Sequence, residues 1–289
     1  MIYLLFSILA STFIFIAFKL FERFKVNVFQ SIVVNYFVAG TTGLLFYEKT
    51  VELSQLPNYD WFYYTIALGA LFIIIFNLMA LTTQIGGLSV VSVATKMSVV
   101  IPILFGLLYY KESIGFLKII GIVLALIAVY FASVKSNDAL KMDKKYLMLP
   151  ILVFIGSGII DTSLKYLEGS FVAQNDVPLF SSTIFFAAGC IGLLVLLYQA
   201  ITKKVRFSYK NIIGGIALGV PNYFSIYFLV KALRSGLMDS SGIFTVNNVA
   251  IVALSTLVGI LLFNEKLRAK NWLGIILALV SIILIALSN

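Results

Sequence analysis

Residues 89–130 read SVVSVATKMSVVIPILFGLLYYKESIGFLKIIGIVLALIAVY: two long apolar segments joined by a short polar turn at Lys111-Glu112-Ser113. The first segment carries Lys96 and Pro102, and the second returns past Gly121. The same pattern occurs again 153 positions later. The clearest matched pairs are Val99 with Val252, Gly106 with Gly259, Glu112 with Glu265, and Gly121 with Gly274. The chain is therefore an internal duplication, and its functional residues are expected where the two halves face each other.

The duplication continues toward both ends of the chain, with offsets that rise from 146 to 153 as the loops lengthen. Lys19 then matches Lys165, and Gly69 matches Gly219. We place the first half at residues 1–136 and the second at 137–289, together forming one transmembrane domain. Each half holds five apolar runs. Because five is odd, the second half must enter the membrane from the opposite side, and such inverted repeats are typical of secondary transporters.

The composition indicates that this chain is embedded in a lipid bilayer. Of 289 residues, 61% are hydrophobic and 11% are charged, whereas soluble domains are about 45–50% apolar and about 25% charged. The net charge of +9 resides largely in the short connectors, where it indicates topology and gives no reason to expect nucleic acid. A single cysteine and the absence of histidine argue against a disulfide framework, a metal cluster and most catalytic dyads. We therefore expect no cofactor and no enzymatic activity.

Ten apolar runs approach the roughly 20 residues that a helix needs to cross a bilayer. They are Ile2 to Leu20, Phe29 to Tyr47, Trp61 to Thr82, Leu88 to Tyr110, Gly115 to Val134, Leu147 to Leu167, Phe180 to Ile201, Ile212 to Ala232, Ser240 to Phe263, and Trp272 to Ser288. The runs are continuous, which favours helices over barrel strands of alternating polarity. The sequence predicts an all-α integral membrane protein with ten transmembrane helices arranged as two inverted five-helix repeats.

This arrangement resembles the drug/metabolite transporter superfamily, and within it the EamA-like branch. The residues that carry the resemblance are Pro102, Gly106, Glu112 and Gly121 in the first half, with Gly259, Glu265 and Gly274 in the second. The resemblance covers the whole chain and implies a helical basket. In such a basket the third, fourth, eighth and ninth spans line a central cavity that moves small metabolites by alternating access. The family includes exporters of amino acids and other metabolites, and its relatives include nucleotide-sugar and sugar-phosphate translocators.

Lys96 is the strongest candidate for a substrate contact. It lies about 12 Å along the fourth span, where a cation is costly and commonly functional. Snorkelling to the lipid headgroups is the alternative. Its neighbour Thr95 matches Asn248 in the repeat, and the ninth span also carries Thr245 and Asn247. We predict that these polar side chains line the cavity; hydrogen bonding between helices is the alternative.

Asp161 is the deepest carboxylate, and it has no counterpart in the first half, where Phe15 stands at the matching position. It is our candidate for binding a proton or an amine. Pairing with Lys165, four residues further along one helix, or with Lys96 is the structural alternative.

Three further polar residues are predicted to lie at the cavity. Asn222 follows Pro221 in the eighth span, where proline frees a backbone carbonyl and can form a hinge. Tyr227, one turn further, matches Asn77 of the third span.

The basic residues give a prediction of orientation. Connectors after odd-numbered spans hold 14 Lys and Arg, against six on the other side. The positive-inside rule then places both termini outside the cytoplasm. Bacterial relatives of the family usually have both termini inside. We expect a multi-pass protein of the cell (inner) membrane, either a monomer or a homodimer.

The predicted function is secondary active transport, in the direction of export. Substrates would be amino acids or related anionic and zwitterionic metabolites, with protons or an exchanged metabolite as the coupling partner, since the chain has no phosphate-binding loop for ATP. A sugar-phosphate or nucleotide-sugar exchanger and a multidrug exporter of cations remain alternatives. A non-transporting membrane scaffold and a lipid-modifying intramembrane enzyme represent other classes of function.

Overall fold

The computed structural model describes residues 2–49, 51, 53–109, 115–133, 144–202, 207–233, 235 and 240–287. Within these ranges the secondary structure is helical, without strands. The predicted boundary between the halves at residues 136 and 137 lies outside them, as does the turn that carries Glu112. The chain is an all-α protein.

Eleven α-helices follow one another in the described ranges, with short 3₁₀ turns at Leu53–Asn58 and Gln174–Asp176. They are α1 (Ile2–Arg23), α2 (Val28–Leu45), α3 (Phe62–Gly86), α4 (Leu88–Met97), α5 (Val100–Tyr109), α6 (Phe116–Ser133), α7 (Lys144–Phe171), α8 (Val177–Thr202), α9 (Tyr209–Leu233), α10 (Ser240–Phe263) and α11 (Ala269–Leu287).

Eight segments of the described chain are long and apolar enough to cross a bilayer, and two shorter apolar helices, Ile119–Ala132 and Ala269–Ile285, accompany them. The chain is therefore a multi-pass membrane protein. The predicted fourth run, Leu88 to Tyr110, corresponds to the candidate span Leu88–Gly106, but its helix is interrupted at Ser98 and Val99, which separate α4 from α5.

The helices pack in a layered bundle. The most extensive contacts join α6 to α11, α2 to α9, α1 to α9 and α2 to α8, followed by those of α3 with α8 and α7. Helix α4 packs against α10, α7 and α6 and so lies at the centre. The fourth apolar run is therefore placed where both parts of the chain can reach it.

Polar contacts fix the register between α2 and α9. Asn211 donates from Nδ2 to Gln30 Oε1 at 2.5 Å and accepts from the backbone N–H of Asn27 at 2.9 Å. Gly219 permits the close approach, because a Cβ there would lie 2.7 Å from the carbonyl oxygen of Asn35. Paired amides at small-residue contacts are a common means of joining helices in lipid. The N-terminal ends of α2 and α9 therefore lie side by side.

Several helix ends meet at one face, which we call the basic end. Lys19 near the end of α1 donates to the carbonyl of Gln84 near the end of α3, at 3.2 Å. The same face carries exposed cations at helix ends and in the connectors. They are Arg23, Lys25, Lys210, Lys266, Arg268 and Lys270.

At the opposite end, an ion pair joins two loops. Lys49, after α2, lies 2.9 Å from Asp176, just before α8. Tyr47 donates a hydrogen bond of 3.0 Å to the same carboxylate. Nearby, the ring of Trp61 at the start of α3 packs edge-on against Phe180 of α8, at 5.5 Å. These contacts tie the starts of α3 and α8 together.

A carboxylate from the second half caps the first turn of α4. Glu265 Oε1 accepts from the backbone N–H of Leu88 at 2.8 Å, and Oε2 lies 3.4 Å from the Ser89 hydroxyl. Gly87 precedes this turn with φ of 96°, a conformation that favours glycine. A Cβ there would also lie 2.6 Å from the Glu265 carboxylate. The start of α4 is thus fixed by a residue 177 positions away.

Candidate functional site

The break between α4 and α5 is explained by Pro102. Proline has no N–H, so the carbonyl of Ser98, four residues earlier, loses its helical donor. That carbonyl accepts instead from the N–H of Ile101 at 2.9 Å, and the helix resumes with Ile103 bonded to Val99 at 3.2 Å. Discontinuous helices at membrane depth occur where the backbone is buried in protein or lines a cavity. The break therefore marks a site candidate in the central helix.

Lys96 occupies the last turn of α4, immediately before this break. Its side chain is half-buried, while the flanking Ala94 and Met97 are fully buried. A cation near a helix C-terminus is stabilised by the unpaired carbonyls of the last turn. Lys96 therefore lies half-buried at the C-terminal end of α4, beside the break.

Asp161 of α7 is brought to the same place. Its Oδ2 lies 3.4 Å from the hydroxyl of Ser98, which also donates to the Thr95 carbonyl at 2.6 Å. Lys96 lies two residues before Ser98 on α4, and among the described residues no ion pair within 4 Å joins it to Asp161. The Asp161 side chain remains exposed although it contacts a buried residue of another helix. It therefore lies at the contact between α7 and the α4–α5 break.

The polar residues of α10 lie on the other side of α4. Asn248 is buried, and α10 packs against α4, which carries the half-buried Thr95. The Thr95 hydroxyl donates within its own helix, to Val91 at 2.7 Å. The side chain of Thr245 lies outside the described residues.

Asn247 forms a hydrogen bond between helices. Its Oδ1 lies 3.2 Å from the hydroxyl of Ser7 in α1, which also lies 2.8 Å from the carbonyl of Ser225 in α9. Both side chains are buried. This contact connects α1, α9 and α10 at one point.

The remaining predicted site residues lie apart from Lys96. Asn222 is buried between α9 and α2, where its Nδ2 donates to Asn35 Oδ1 at 3.2 Å. Tyr227 belongs to an aromatic cluster, in which the centres of its ring and the Phe46 ring are 4.8 Å apart. The Lys231 ammonium lies 5.5 Å from the centre of the Tyr227 ring. Asn77 faces a groove on the flank of α3. The structure thus brings Lys96, Thr95 and Asp161 together and places these three elsewhere.

Two residues of this region escaped the sequence interpretation. Ser98, the hydrogen-bonding partner of Asp161, lies four residues before Pro102, a spacing that predicts a freed carbonyl. Ser7, the partner of Asn247, has no such signal, because its partners are 218 and 240 residues away.

The arrangement can bind opposite charges at neighbouring points. The ammonium of Lys96 suits a carboxylate or phosphate, while the carboxylate of Asp161 suits an amine or a proton. They come from different halves of the chain and lie beside the same interrupted helix, so binding there would connect the two halves.

Known proteins resemble this chain over its length. The sequence profile of the EamA-like transporter family matches residues 1–134. An uncharacterized protein of Haemophilus influenzae is 30% identical over 287 residues, 96% of this chain and 95% of that protein. A protein of known crystal structure, 14% identical, aligns with a TM-score of 0.60 over 97% of each chain, which extends the similarity to the fold alone. The chain belongs to the EamA-like transporter family, part of the drug/metabolite transporter superfamily, whose members are transporters.

Proposed function

We propose that this protein is a secondary active transporter that exports small zwitterionic or anionic metabolites, such as amino acids, by alternating access around a central cavity. Lys96 binds the carboxylate of the substrate. Asp161 binds its amine or carries a coupling proton. The observation that carries the proposal is that Asp161 of α7 contacts Ser98 at the α4–α5 break, two residues after Lys96.

The proposal includes ten spans in two inverted five-helix repeats. Helix packing supports it, because contacts recur when the halves are exchanged. The packing of α2 on α9 corresponds to that of α8 on α3, and the packing of α1 on α9 corresponds to that of α7 on α3. Two further contacts, α2 with α8 and α6 with α11, join segments that match in the repeat. A pseudo-two-fold axis through the centre would produce this pattern.

The interrupted helix supplies a place for movement. Residues at a helix break can absorb changes in backbone angle while the segments on either side remain rigid. With α4 capped by Glu265 and α5 packed on α7, a change at Ser98 would move Lys96 relative to Asp161. A site with two discrete arrangements of these charges is what alternating access requires.

The proposed location is the inner membrane, with the basic end in the cytoplasm and both termini outside. A reporter enzyme active only outside the cytoplasm, fused after Asn289, tests this orientation. Activity supports it, whereas fluorescence of a C-terminal green fluorescent fusion places the terminus inside.

A thermal-shift screen of detergent-purified protein tests the site. Ligands that bind only the folded state raise its apparent stability. Amino acids, sugar phosphates, nucleotide sugars and cationic drugs are compared on the unaltered protein, on Lys96→Gln and on Lys165→Gln. The last variant is the matched control, because Lys165 is exposed on α7, one turn from Asp161.

We expect stabilisation by a zwitterionic or anionic class that is lost in Lys96→Gln and kept in Lys165→Gln. Stabilisation by cations that survives Lys96→Gln would instead favour a multidrug exporter with Asp161 as the site. A ligand found this way is then tested for uptake in proteoliposomes. Absence of flux by a correctly reconstituted protein that binds it would contradict the transport proposal.

A further inference from the structure

A groove lies on the flank of the bundle, away from Lys96 and Asp161. It runs between α3, α8 and the first turn of α2, and its volume is about 790 Å³. Nine of its twelve lining residues are apolar. That volume lies within the range of about 300–1,000 Å³ that is usual for ligand sites. The groove is therefore large enough to hold part of a small molecule or lipid.

The groove is open toward the surrounding bilayer. Ile74 of α3 and Val195 of α8 line it, and they are 55% and 39% exposed on membrane-spanning helices. The lining of α3 runs from Ala70 to Gln84, a rise of about 21 Å at 1.5 Å per residue. Half of the hydrocarbon core is about 15 Å thick, so the groove spans one leaflet. A molecule that enters from lipid would lie along it with its long axis across that leaflet.

Polar and cationic groups gather where the groove reaches the basic end. Asn27 and Gln84 line it there, and the Lys19 ammonium lies 3.2 Å from the carbonyl oxygen of Gln84. Arg23 and Lys25 are exposed in the connector that leads to Asn27. The apolar length of the groove therefore ends near a cluster of positive charge at the basic end.

We propose that this groove is a binding site for an anionic phospholipid of the leaflet at the basic end. An acyl chain lies against Ile73, Ile74 and Val195. The phosphate group lies near Lys19 and is attracted by Arg23 and Lys25. This site is separate from the transport site, and the inference stands whether or not the chain transports amino acids.

Charge and shape together select this occupant. A soluble metabolite would not partition into an apolar groove that opens to lipid. A neutral lipid would fill the apolar part but would gain nothing from Lys19, whereas each Lys or Arg near a membrane surface favours an anionic lipid by a factor of about five. Preference for the anionic headgroup is therefore the property that distinguishes this site from ordinary contact with the bilayer.

Native mass spectrometry of the full-length, delipidated protein measures the effect. Phosphatidylglycerol and phosphatidylcholine with identical acyl chains are titrated separately. We expect one phosphatidylglycerol to bind several-fold more tightly than phosphatidylcholine. Lys19→Gln should lower the affinity for phosphatidylglycerol about fivefold and leave the affinity for phosphatidylcholine unchanged. Ile74→Trp, which fills the groove, should lower the affinity for both lipids.

Matched variants control for general effects. Lys210→Gln removes an exposed cation from the same end, and Leu194→Trp adds an indole to an exposed position beside Val195. Neither variant should change the affinity of the phosphatidylglycerol molecule that binds most tightly. Equal affinity for the two lipids, or equal losses in Lys19→Gln and Lys210→Gln, would overturn the proposal. If Ile74→Trp yields no folded protein, the comparison of the two lysine variants decides.

Discussion

The carboxylate of Glu265 and the backbone N–H of Leu88 form a hydrogen bond of 2.8 Å between the connector after α10 and the first turn of α4. A carboxylate at a helix N-terminus satisfies an unpaired N–H and interacts favourably with the helix dipole. Because α4 carries Lys96 at its other end, this cap sets the position of the candidate site from the far half of the chain.

Replacing Glu265 should therefore loosen α4. We expect Glu265→Ala to lower the free energy of unfolding by about 1–2 kcal/mol, with a smaller loss for Glu265→Gln, which keeps one acceptor. Thermal unfolding in detergent measures the difference. Lys266→Ala, in the same connector and exposed, is the control. Equal stability of Glu265→Ala and Lys266→Ala would show that the cap contributes nothing.

The charges of Lys96 and Asp161 should depend on each other. Removing one leaves the other without its counter-charge, so the double variant Lys96→Gln with Asp161→Asn should destabilise the protein less than the sum of the two single variants. We expect a coupling of about 0.5–3 kcal/mol, the range for residues in one network. A double-mutant cycle of unfolding free energies measures it. Strict additivity would show that the two side chains act independently.

The break at Ser98 should depend on Pro102. Alanine at 102 supplies the missing N–H, so α4 and α5 can join, and the helix gains up to about 3 kcal/mol in intrinsic preference. We expect Pro102→Ala to unfold at higher temperature while the maximal transport rate falls and substrate affinity stays similar. The rate is measured in proteoliposomes. Pro150→Ala, near the start of the unbroken α7, is the control and should retain its rate.

Asn222 allows a structural role to be separated from substrate binding. Its amide pairs with Asn35, so Asn222→Ala should cost about 0.6–1.7 kcal/mol, as measured for interhelical bonds in membranes. Ligand affinity in the thermal-shift screen should stay unchanged. A large loss of affinity with unaltered stability would return Asn222 to the cavity, as the sequence alone predicted.

Most helix positions follow from the sequence, because an apolar run of about 20 residues is the length that crosses a bilayer as a helix. Ile2 to Leu20 and Ser240 to Phe263 agree with α1 and α10 to within three residues at each end. The break in the fourth run was missed, although Pro102 signalled it. A proline alone does not determine whether a helix is interrupted, since α9 continues through Pro221.

The partners of the polar side chains were harder to predict. Spacing gives the distance of each residue along its own span, about 12 Å for Lys96 and about 21 Å for Asp161. Which face each helix presents depends on packing against neighbours that are distant in sequence. Asn222 therefore lies against α2, and Asn77 on the outer flank, although both have the same polar character as Asn248.

The contacts of Ser7 bear on how the protein is made. Its hydroxyl meets Ser225 and Asn247, which are 218 and 240 residues later in the chain. At about 5–20 residues per second, roughly 10–50 s pass between synthesis of Ser7 and synthesis of both partners. During that interval the Ser7 hydroxyl lacks at least one of these two partners. The contacts of α1 are thus completed only after α9 and α10 have been made, and a chain truncated before α9 should be a substrate for membrane proteases.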